Sequence, residues 1–255
     1  MFKKFVLLTL SVILVAAMAI SPASAESEEP PMDATVYVVH GIPGLDVSPD
    51  LDPKLPVDVS VNGACALKGF KFGEIVGPLA LPAGVYEIKI GLADKLAPCS
   101  ADAVISAKVE LMGGQAYVIA AYLAEGGAPT AGLFPIDLSK QMFPRVYAFH
   151  LANAPKVDIT LHRQSKKNPL HFELLNVSNG QYAMVDPAPL SGYYLGSIFA
   201  AGTIPSGEPV FGPAKLTFRT YKTYLLFAVG SLEKGTFTVL QKVIKFNMKP
   251  TKMMK

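Results

Sequence analysis

Two residues suited to chemistry, a histidine and an aspartate, recur at matching places in the two halves of the chain. His40 and His150 end the phrases "TVYVVH" and "RVYAFH", while Asp58 and Asp158 lie in "PVDVSVNG" and "KVDITLHR". A histidine oriented by a carboxylate can serve as a general base or as half of a metal site. A base also needs a nucleophile or a substrate pocket, and a zinc site usually needs three or four ligands. The sequence shows neither a nucleophile beside the histidine nor a complete set of ligands. We therefore expect a structural hydrogen bond in each half, from His40 to Asp58 and from His150 to Asp158.

An acidic loop gives a second candidate site. In "GLDVSPDLDPK" Asp46, Ser48, Asp50 and Asp52 occupy alternate positions, as the early ligands of an EF-hand loop do, and the three aspartates carry the candidate carboxylates. The turn glycine and the closing bidentate glutamate of such a loop are missing, and two prolines favour an extended segment. We expect a solvated loop, with calcium binding by these three residues as the alternative. We predict no other cofactor.

The chain has two cysteines, Cys65 and Cys99, and both lie in its first half. In an exported protein such a pair indicates one disulfide within a domain, rather than two free thiols. Closing the intervening loop contributes about 3 to 4 kcal/mol in the chain-entropy description. There is no C-x-x-C motif, so a redox role is not indicated.

The N-terminus has the pattern of a secretory signal peptide. Lys3 and Lys4 precede an apolar run over residues 5–20, and "ASA" at residues 23–25 is an A-x-A cleavage site. We predict cleavage after Ala25 rather than an uncleaved anchor, because the run is short for a bilayer span of about 17–25 residues. The mature chain is then expected to be secreted, or located in the periplasm or cell envelope, with no integral membrane segment.

The charge of the mature chain argues against recognition of nucleic acid. The full sequence has 23 basic and 20 acidic residues, so loss of Lys3 and Lys4 leaves 21 against 20 and a formal charge of +1. Proteins that bind nucleic acid carry a strong basic patch. The loop "RQSKKNPL" between His162 and His171 is basic. We interpret it as a hairpin tip, with an anionic partner as the alternative.

The chain contains a tandem repeat. Besides the phrases above, "LPAGVYEIKI" matches "PLSGYYLGSI" and "AKVELMGGQAYVIAAY" matches "AKLTFRTYKTYLLFAV", in the same order in both halves. The repeat predicts two domains, at residues 34–137 and 145–244. The remaining segments are a signal peptide at 1–25, a disordered linker at 26–33, a second linker at 138–144 and a basic tail at 245–255.

Both halves have the residue pattern of β-strands. Val57, Val59 and Val61 alternate with polar residues, as do the aliphatic residues of "VDITLH", so that these aliphatic side chains share one buried face. "NG" at residues 62–63 and "GG" at residues 113–114 are typical of hairpin turns. Long amphipathic helical patterns are missing after residue 25. We predict an all-β protein of two tandem antiparallel β-sandwiches.

Several phrases of the chain resemble a known family. "VYVVHGIPG", "VDVSVNGAC", "GFKFGEIVGPLALPAGVYEIKI" and "RVYAFHLANAPKVDI" resemble the exported tandem β-sandwich family called domain of unknown function 4397 (DUF4397). The resemblance covers nearly all of the mature chain and is weaker in the second half, where "HRQSKKNPLHFELL" replaces the compact "NGACALKGFKF". It implies immunoglobulin-like sandwiches in bacterial or archaeal envelope proteins. It supplies no catalytic residues.

These observations favour a protein that is not an enzyme. The chain has no G-x-S-x-G, H-E-x-x-H or phosphate-loop motif. We expect a non-catalytic module of the cell envelope or extracellular space that binds a protein or cell-surface partner, or has a structural display role, through its loops and sheet edges. The alternatives are a carrier of a small ligand or calcium and, third, a hydrolase. A concave pocket with converging polar groups would favour a carrier or an enzyme over display.

Overall fold

The computed structural model describes residues 32–186 and 188–246 of the 255-residue chain. The predicted signal peptide at 1–25, most of the linker at 26–33 and the tail beyond residue 246 lie outside the described residues. The described part contains sixteen β-strands and one four-residue helix, which confirms the all-β prediction. Within it, no helix is both long and apolar enough to cross a membrane.

The first half contains eight strands and the helical turn. In chain order these are β1 (Ala34–His40), α1 (Gly44–Val47), β2 (Val57–Val61), β3 (Ala64–Phe70), β4 (Ile75–Leu81), β5 (Gly84–Leu92), β6 (Ala103–Leu111), β7 (Ala116–Leu123) and β8 (Pro129–Ile136). The second half contains the other eight strands. They are β9 (Arg145–His150), β10 (Val157–Arg163), β11 (His171–Val177), β12 (Gln181–Met184), β13 (Gly192–Ala200), β14 (Phe211–Phe218), β15 (Lys222–Val229) and β16 (Thr238–Lys245).

Each half forms two four-stranded sheets. Sheet I has the order β4-β1-β7-β8 and sheet II the order β3-β2-β5-β6; sheet III has the order β12-β9-β15-β16 and sheet IV the order β11-β10-β13-β14. Neighbouring strands are antiparallel, except that β1 is parallel to β7 and β9 is parallel to β15. Adding eight to each strand number converts sheet I into sheet III and sheet II into sheet IV. The second half therefore has the topology of the first.

The central strands of sheets I and III are buried on both faces. Nearly every residue of β7, "AYVIAAYL", and of β15, "KTYLLFAV", is buried. A strand that is covered on both faces carries apolar side chains at successive positions rather than at alternate ones. On β5, by contrast, Ile88 and Ile90 are buried while Glu87 and Lys89 are exposed. β5 therefore belongs to an outer layer and β7 and β15 to inner layers.

Apolar side chains hold the two sheets of each half together. Between sheets I and II the core includes Val36 of β1 and Val59 of β2. Between sheets III and IV, Val146 of β9 packs in one cluster with Leu161 of β10 and Tyr194 of β13. Alternate residues along β1 and β9 point to the opposite faces, as the pleat of a strand requires.

The two halves also share a core, because the remaining faces of sheets I and III pack against each other. Phe149 of β9 lies 4.7 Å from Phe227 and 5.6 Å from Phe134 of the first half, measured between ring centroids. The same cluster contains further residues of both halves, among them Tyr37, Val39, Val118, Tyr147 and Leu225. The sheets are thus stacked in the order II, I, III, IV, and the described residues belong to one compact unit.

Polar contacts reinforce the junction between the halves. The side-chain amide of Asn179 donates to the carbonyl oxygen of Leu123 at 2.9 Å, and its oxygen accepts from the amide of Glu125 at 3.1 Å. The hydroxyl of Tyr182 donates to the carbonyl oxygen of Pro135 at 2.8 Å. These contacts join loops of one half to strands and loops of the other.

The segment predicted as a linker, residues 138–144, lies between β8 and β9. Arg145 is buried at its end, and its guanidinium donates to the carbonyl oxygens of Asp137 and Ser139 at 2.7 and 3.0 Å. The same group forms an ion pair with the Asp137 carboxylate at 2.7 Å. These contacts hold the connection against the first residue of β9.

Candidate ligand cavity

The predicted histidine–aspartate pairs do not form. His40 ends β1 in sheet I, whereas Asp58 lies on β2 in sheet II. His150 and Asp158 are divided in the same way between sheets III and IV. The histidine and the aspartate of each predicted pair lie on strands of different sheets. Each side chain therefore forms hydrogen bonds with backbone groups near its own strand. The predicted pairing is wrong.

Each histidine ring instead fixes the loop that follows its strand. Nε2 of His40 donates to the carbonyl oxygen of Leu55 at 2.9 Å, and its Nδ1 accepts from the amide of Ile42 at 3.3 Å. Nε2 of His150 lies 2.9 Å from the carbonyl oxygen of Pro155. Burial lowers the pKa of both rings, and the hydrogen bonds only partly offset this effect. Both histidines are therefore neutral at neutral pH.

Asp58 binds the backbone of two separate segments, β3 and the loop between β5 and β6. Its carboxylate accepts from the amides of Gly69 and Cys99 at 2.8 Å each and from that of Asp94 at 3.3 Å. Burial raises the pKa of Asp58, but these amides lower it by more, so the pKa lies below its usual value. The residue is a structural anchor for the loop between β5 and β6 and for a bulge of β3.

Asp158 has the same role in the second half. Its carboxylate accepts from the amides of Asn176 and Gly202 at 2.7 Å each. Asn176 has a φ of 57°, and Gly69, which donates to Asp58, has a φ of 59°. The two halves therefore repeat a left-handed bulge as well as the carboxylate that satisfies it.

The predicted disulfide is present. Cys65 and Cys99 are bonded, with their Cα atoms 5.7 Å apart. Because Cys99 also donates its amide to Asp58, its loop is held both by a covalent bond and by a buried carboxylate.

The acidic loop is held against the second half of the chain. Asp46 is buried, and both of its carboxylate oxygens lie 2.7 Å from the hydroxyl of Thr236, while the ammonium of Lys234 donates to its carbonyl oxygen at 2.6 Å. Asp50 and Asp52 are exposed. In the described part of the chain, no group of three histidine, cysteine, aspartate or glutamate residues is placed to hold a metal ion. The calcium alternative stays a prediction that this arrangement does not support.

A cavity of about 340 Å³ lies between sheets I and II. Its walls are aliphatic and include Val36, Val59, Ile88 and Ile119. His40 also lines it, but both ring nitrogens already have backbone partners. An apolar cavity of about 150 Å³ stays dry and can take up benzene, and small-ligand pockets begin at about 300 Å³. This space is therefore large enough for an apolar ligand.

The cavity opens at the edge formed by β3 and β4. Leu67 of β3 and Leu79 and Leu81 of β4 line the cavity and are nevertheless partly exposed, as is Tyr86 of β5. The hydroxyl of Tyr86 donates to the carbonyl oxygen of Pro82 at 2.7 Å, which holds its ring at the rim. The partly exposed part of the cavity wall therefore lies at these two edge strands.

The corresponding position in the second half carries a larger side chain. Phe218 is the register partner of Gly192, as Leu111 is the register partner of Gly84. Phe218 is fully buried, whereas Leu111 lines the cavity of the first half. A phenyl ring thus replaces an isobutyl group at the same place in the fold.

Other aromatic rings complete this filling. The ring of Phe218 lies 5.0 Å from those of Tyr194 and Tyr224 and, with Phe172 at 6.4 Å from Tyr194, forms an aromatic cluster. Tyr194 is the counterpart of Tyr86 and is buried rather than partly exposed. A smaller cavity of about 120 Å³ remains elsewhere between sheets III and IV. Side-chain size therefore distinguishes two halves of equal topology.

Sequence reasoning missed this cavity, because its walls are ordinary core residues. One signal was available: the repeat places "AKVELMGG" opposite "AKLTFRTY", and hence Leu111 opposite Phe218. Replacement of an aromatic residue by a smaller one at matching core positions of two repeats indicates less side-chain volume at that place.

Comparison with solved structures yields remote likenesses. The Bacillus anthracis TIE protein is 12% identical with a TM-score of 0.19, and the match covers 77% of this chain and 35% of that protein. A putative cell adhesion protein from Bacteroides ovatus ATCC 8483 is 8% identical with a TM-score of 0.19, covering 87% of this chain and 100% of that one. TM-scores this low carry no argument about fold or function. None of the curated proteins matches the sequence.

A family model matches the first half of the chain and the start of the second. The match spans residues 34–160, which include β1 to β9 and the start of β10. Within this range lie the cavity, the disulfide, His40 and Asp58, together with the phrases that carried the resemblance in the sequence. Through residues 34–160, the chain belongs to the family described as domain of unknown function (DUF4397).

Proposed function

We propose that the protein is an exported, non-catalytic binding protein of the cell envelope or extracellular space, and that its first half holds an apolar ligand. The observation that carries this proposal is the cavity of about 340 Å³ in one half, beside the filled aromatic core in the other. The difference in side-chain volume between Leu111 and Phe218, at the same place in the two halves, is consistent with one binding half and one structural half. The halves would be tandem immunoglobulin-like sandwiches at residues 34–137 and 145–244.

The proposed export is supported by the sequence at the N-terminus and by the disulfide. Disulfides form and persist in oxidising compartments. The signal-peptide pattern and the Cys65–Cys99 bond therefore agree on a location outside the cytoplasm.

The proposed absence of catalysis is supported by the roles of the buried polar residues. His40 is neutral, and both of its ring nitrogens form hydrogen bonds with the backbone. Both carboxylate oxygens of Asp58 accept hydrogen bonds from backbone amides. The cavity wall is almost entirely carbon. A general base or nucleophile would need a free polar atom directed at a substrate.

The ligand that suits this cavity is a narrow, unbranched aliphatic chain, such as the acyl part of a lipid. Packed sheets lie about 10 Å apart, so the space between them is one layer of side chains deep. A bulky ring system would have to separate the sheets. Each methylene that leaves water for such a wall contributes about 0.8 kcal/mol.

The edge strands themselves argue against a strand from a partner protein as the occupant. β4 contains Pro78, which lacks an amide donor, and β3 presents Lys68 and pairs irregularly with β2. Proline, lysine and bulges on an edge are devices that prevent strand addition. A small molecule that enters between the edges does not meet this obstacle.

The test is a calorimetric titration of the mature protein, residues 26–255, with lauric acid, an unbranched aliphatic chain. We expect saturable binding at one site. Leu111→Phe, which copies the residue found in the second half, should weaken binding about tenfold or more, corresponding to at least about 1.4 kcal/mol. Val85→Phe is the matched control, because it adds a ring at an exposed position of β5 outside the cavity.

Equal binding by the wild-type protein and the Leu111→Phe variant would exclude the cavity as the site. Absence of binding to the wild-type protein would overturn the carrier function and favour display. A pull-down of the mature protein against the cell-surface fraction would then identify a protein partner.

A further inference from the structure

Two exposed histidines of the second half meet across a strand pair. His162 on β10 is the register partner of His171 on β11, and their Nδ1 atoms lie 3.0 Å apart. The ring centroids are 4.0 Å apart, and the ring planes differ by 32°. Both side chains lie on the solvent side of sheet IV, beside the basic loop at residues 164–170. This pair lies beyond the family match, which ends at residue 160.

The distance between the two nitrogens is that of two ligands on one metal ion. Metal–imidazole bonds of about 2.0 to 2.1 Å place two nitrogens about 2.9 to 3.4 Å apart, for bond angles between square-planar and tetrahedral. We propose that His162 and His171 chelate a late first-row divalent cation, Cu²⁺ in preference to Ni²⁺ or Zn²⁺, through their Nδ1 atoms. Water or a partner molecule completes the coordination.

Glu173 supplies the outer contact that such a site needs. Its carboxylate oxygen lies 2.6 Å from Nε2 of His171, on the side of the ring opposite Nδ1. A ligating histidine commonly donates its other N–H to a carboxylate, which fixes the tautomer and raises the basicity of the ligating nitrogen. With the proton held on Nε2, the Nδ1 lone pair of His171 faces His162.

His162 can provide its Nδ1 lone pair by a change of tautomer, without losing a proton. With the proton of His171 on Nε2, the donor in the 3.0 Å contact is Nδ1–H of His162. On metal binding this proton transfers through solvent to Nε2 of the same ring. Because both side chains are exposed, their rings can turn so that the lone pairs converge.

The other two histidines of the chain do not compete. His40 and His150 are buried, and each donates from Nε2 to a backbone carbonyl. The chain has four histidines in all, so any imidazole-bound metal on the folded protein is expected at His162 and His171.

The experiment is a calorimetric titration of the untagged mature protein with CuCl₂, NiCl₂ and ZnCl₂, with an electron paramagnetic resonance spectrum of the copper form. We expect one copper ion per chain, bound more tightly than nickel or zinc, with hyperfine splitting from two imidazole nitrogens. His162→Ala and His171→Ala should each lower the affinity for copper about a hundredfold, because the second ligand is lost from a chelate.

A further variant separates the outer contact from the ligands. Glu173→Gln should weaken copper binding about tenfold or more and keep two nitrogens in the spectrum. Glu110→Gln, an exposed carboxylate of the first half, is the control and should leave the affinity unchanged. Unchanged binding by the His162→Ala/His171→Ala double variant, or a spectrum without imidazole nitrogens, would overturn the proposal. Binding of lauric acid in the cavity of the first half does not depend on this pair, so the two proposals fail or succeed separately.

Discussion

The carboxylate of Asp58 accepts a hydrogen bond at 2.8 Å from the amide of Cys99, whose sulfur is bonded to Cys65. A carboxylate on β2 and a covalent bond from β3 therefore hold the same loop. The second half keeps the carboxylate, Asp158, and has no cysteine. The repeat thus provides its own comparison of a loop with and without a covalent bond.

Removal of the Asp58 carboxylate and removal of the disulfide should be coupled. Asp58→Ala should lower the free energy of unfolding by about 2–3 kcal/mol, since it leaves buried amides without a partner. Cys65→Ser/Cys99→Ser should lower it by about 3–4 kcal/mol. The loss of unfolding free energy in the combined variant should be smaller than the sum of the two separate losses by at least about 0.5 kcal/mol. The reason is that either change alone already releases the same loop. Urea denaturation measures each value. Asp158→Ala combined with disulfide removal is the control and should be additive.

Asp58 should also contribute to acid stability. Its folded-state pKa lies below the ordinary value of 3.8, so its contribution is complete above that pH and is lost as the pH falls through the folded-state value. The difference in unfolding free energy between wild type and Asp58→Asn should therefore be largest near neutral pH and shrink below about pH 4. A difference that does not vary with pH would contradict this role.

The buried histidines should produce a separate pH dependence. Burial holds the pKa of His40 and His150 below 6.5, so the unfolded chain takes up protons first and stability falls as the pH drops below 6.5. Each ring contributes a slope of up to about 1.4 kcal/mol per pH unit. The His40→Gln/His150→Gln variant should show a smaller slope in urea midpoints measured between pH 7.5 and pH 5. Equal slopes would show that these rings are not the source.

The aromatic core between the halves should make the protein unfold in one transition. Phe149→Ala should cost about 3–5 kcal/mol and separate the melting of the halves, because Phe149 contacts rings of both. Scanning calorimetry would show a ratio of calorimetric to van't Hoff enthalpy near one for the wild type and above one for the variant. Phe218→Ala, a loss of similar size within the second half, should keep a single transition.

The contact of Asp46 with Thr236 predicts how the acidic loop responds to charge and to calcium. Burial raises the pKa of Asp46, so its stabilising contribution is complete below pH 3.8 and declines as the pH rises. Asp46→Asn, which still accepts from the Thr236 hydroxyl, should be at least as stable as wild type at pH 7, whereas Asp46→Leu should lose about 1–2 kcal/mol. Millimolar calcium should leave the melting temperatures of the wild type and of Asp46→Asn unchanged. A rise for the wild type alone would restore the calcium interpretation.

Local pattern was sufficient for much of the fold. Alternation in "VDVSV" and "VDITL" predicted β2 and β10, and the repeated phrases agree with a topology that recurs after eight strands. Continuous apolar runs such as "AYVIAAYL" also contained the signal that sheets I and III are covered on both faces. That signal indicates a second covering layer but not which segment provides it.

The sequence by itself determined that the chain forms strands, because strands depend on the period of the side chains. It also determined their repetition, which depends on order along the chain, and the pairing of the two cysteines, since each has one possible partner. Only the tertiary structure decided that His40 and Asp58 lie in different layers, that Phe149 joins the halves, and that His162 meets His171. It also decided that Leu111 leaves space where Phe218 does not. The physical reason is that period reports the direction of a side chain, whereas partners and empty volume depend on which distant strands pack face to face.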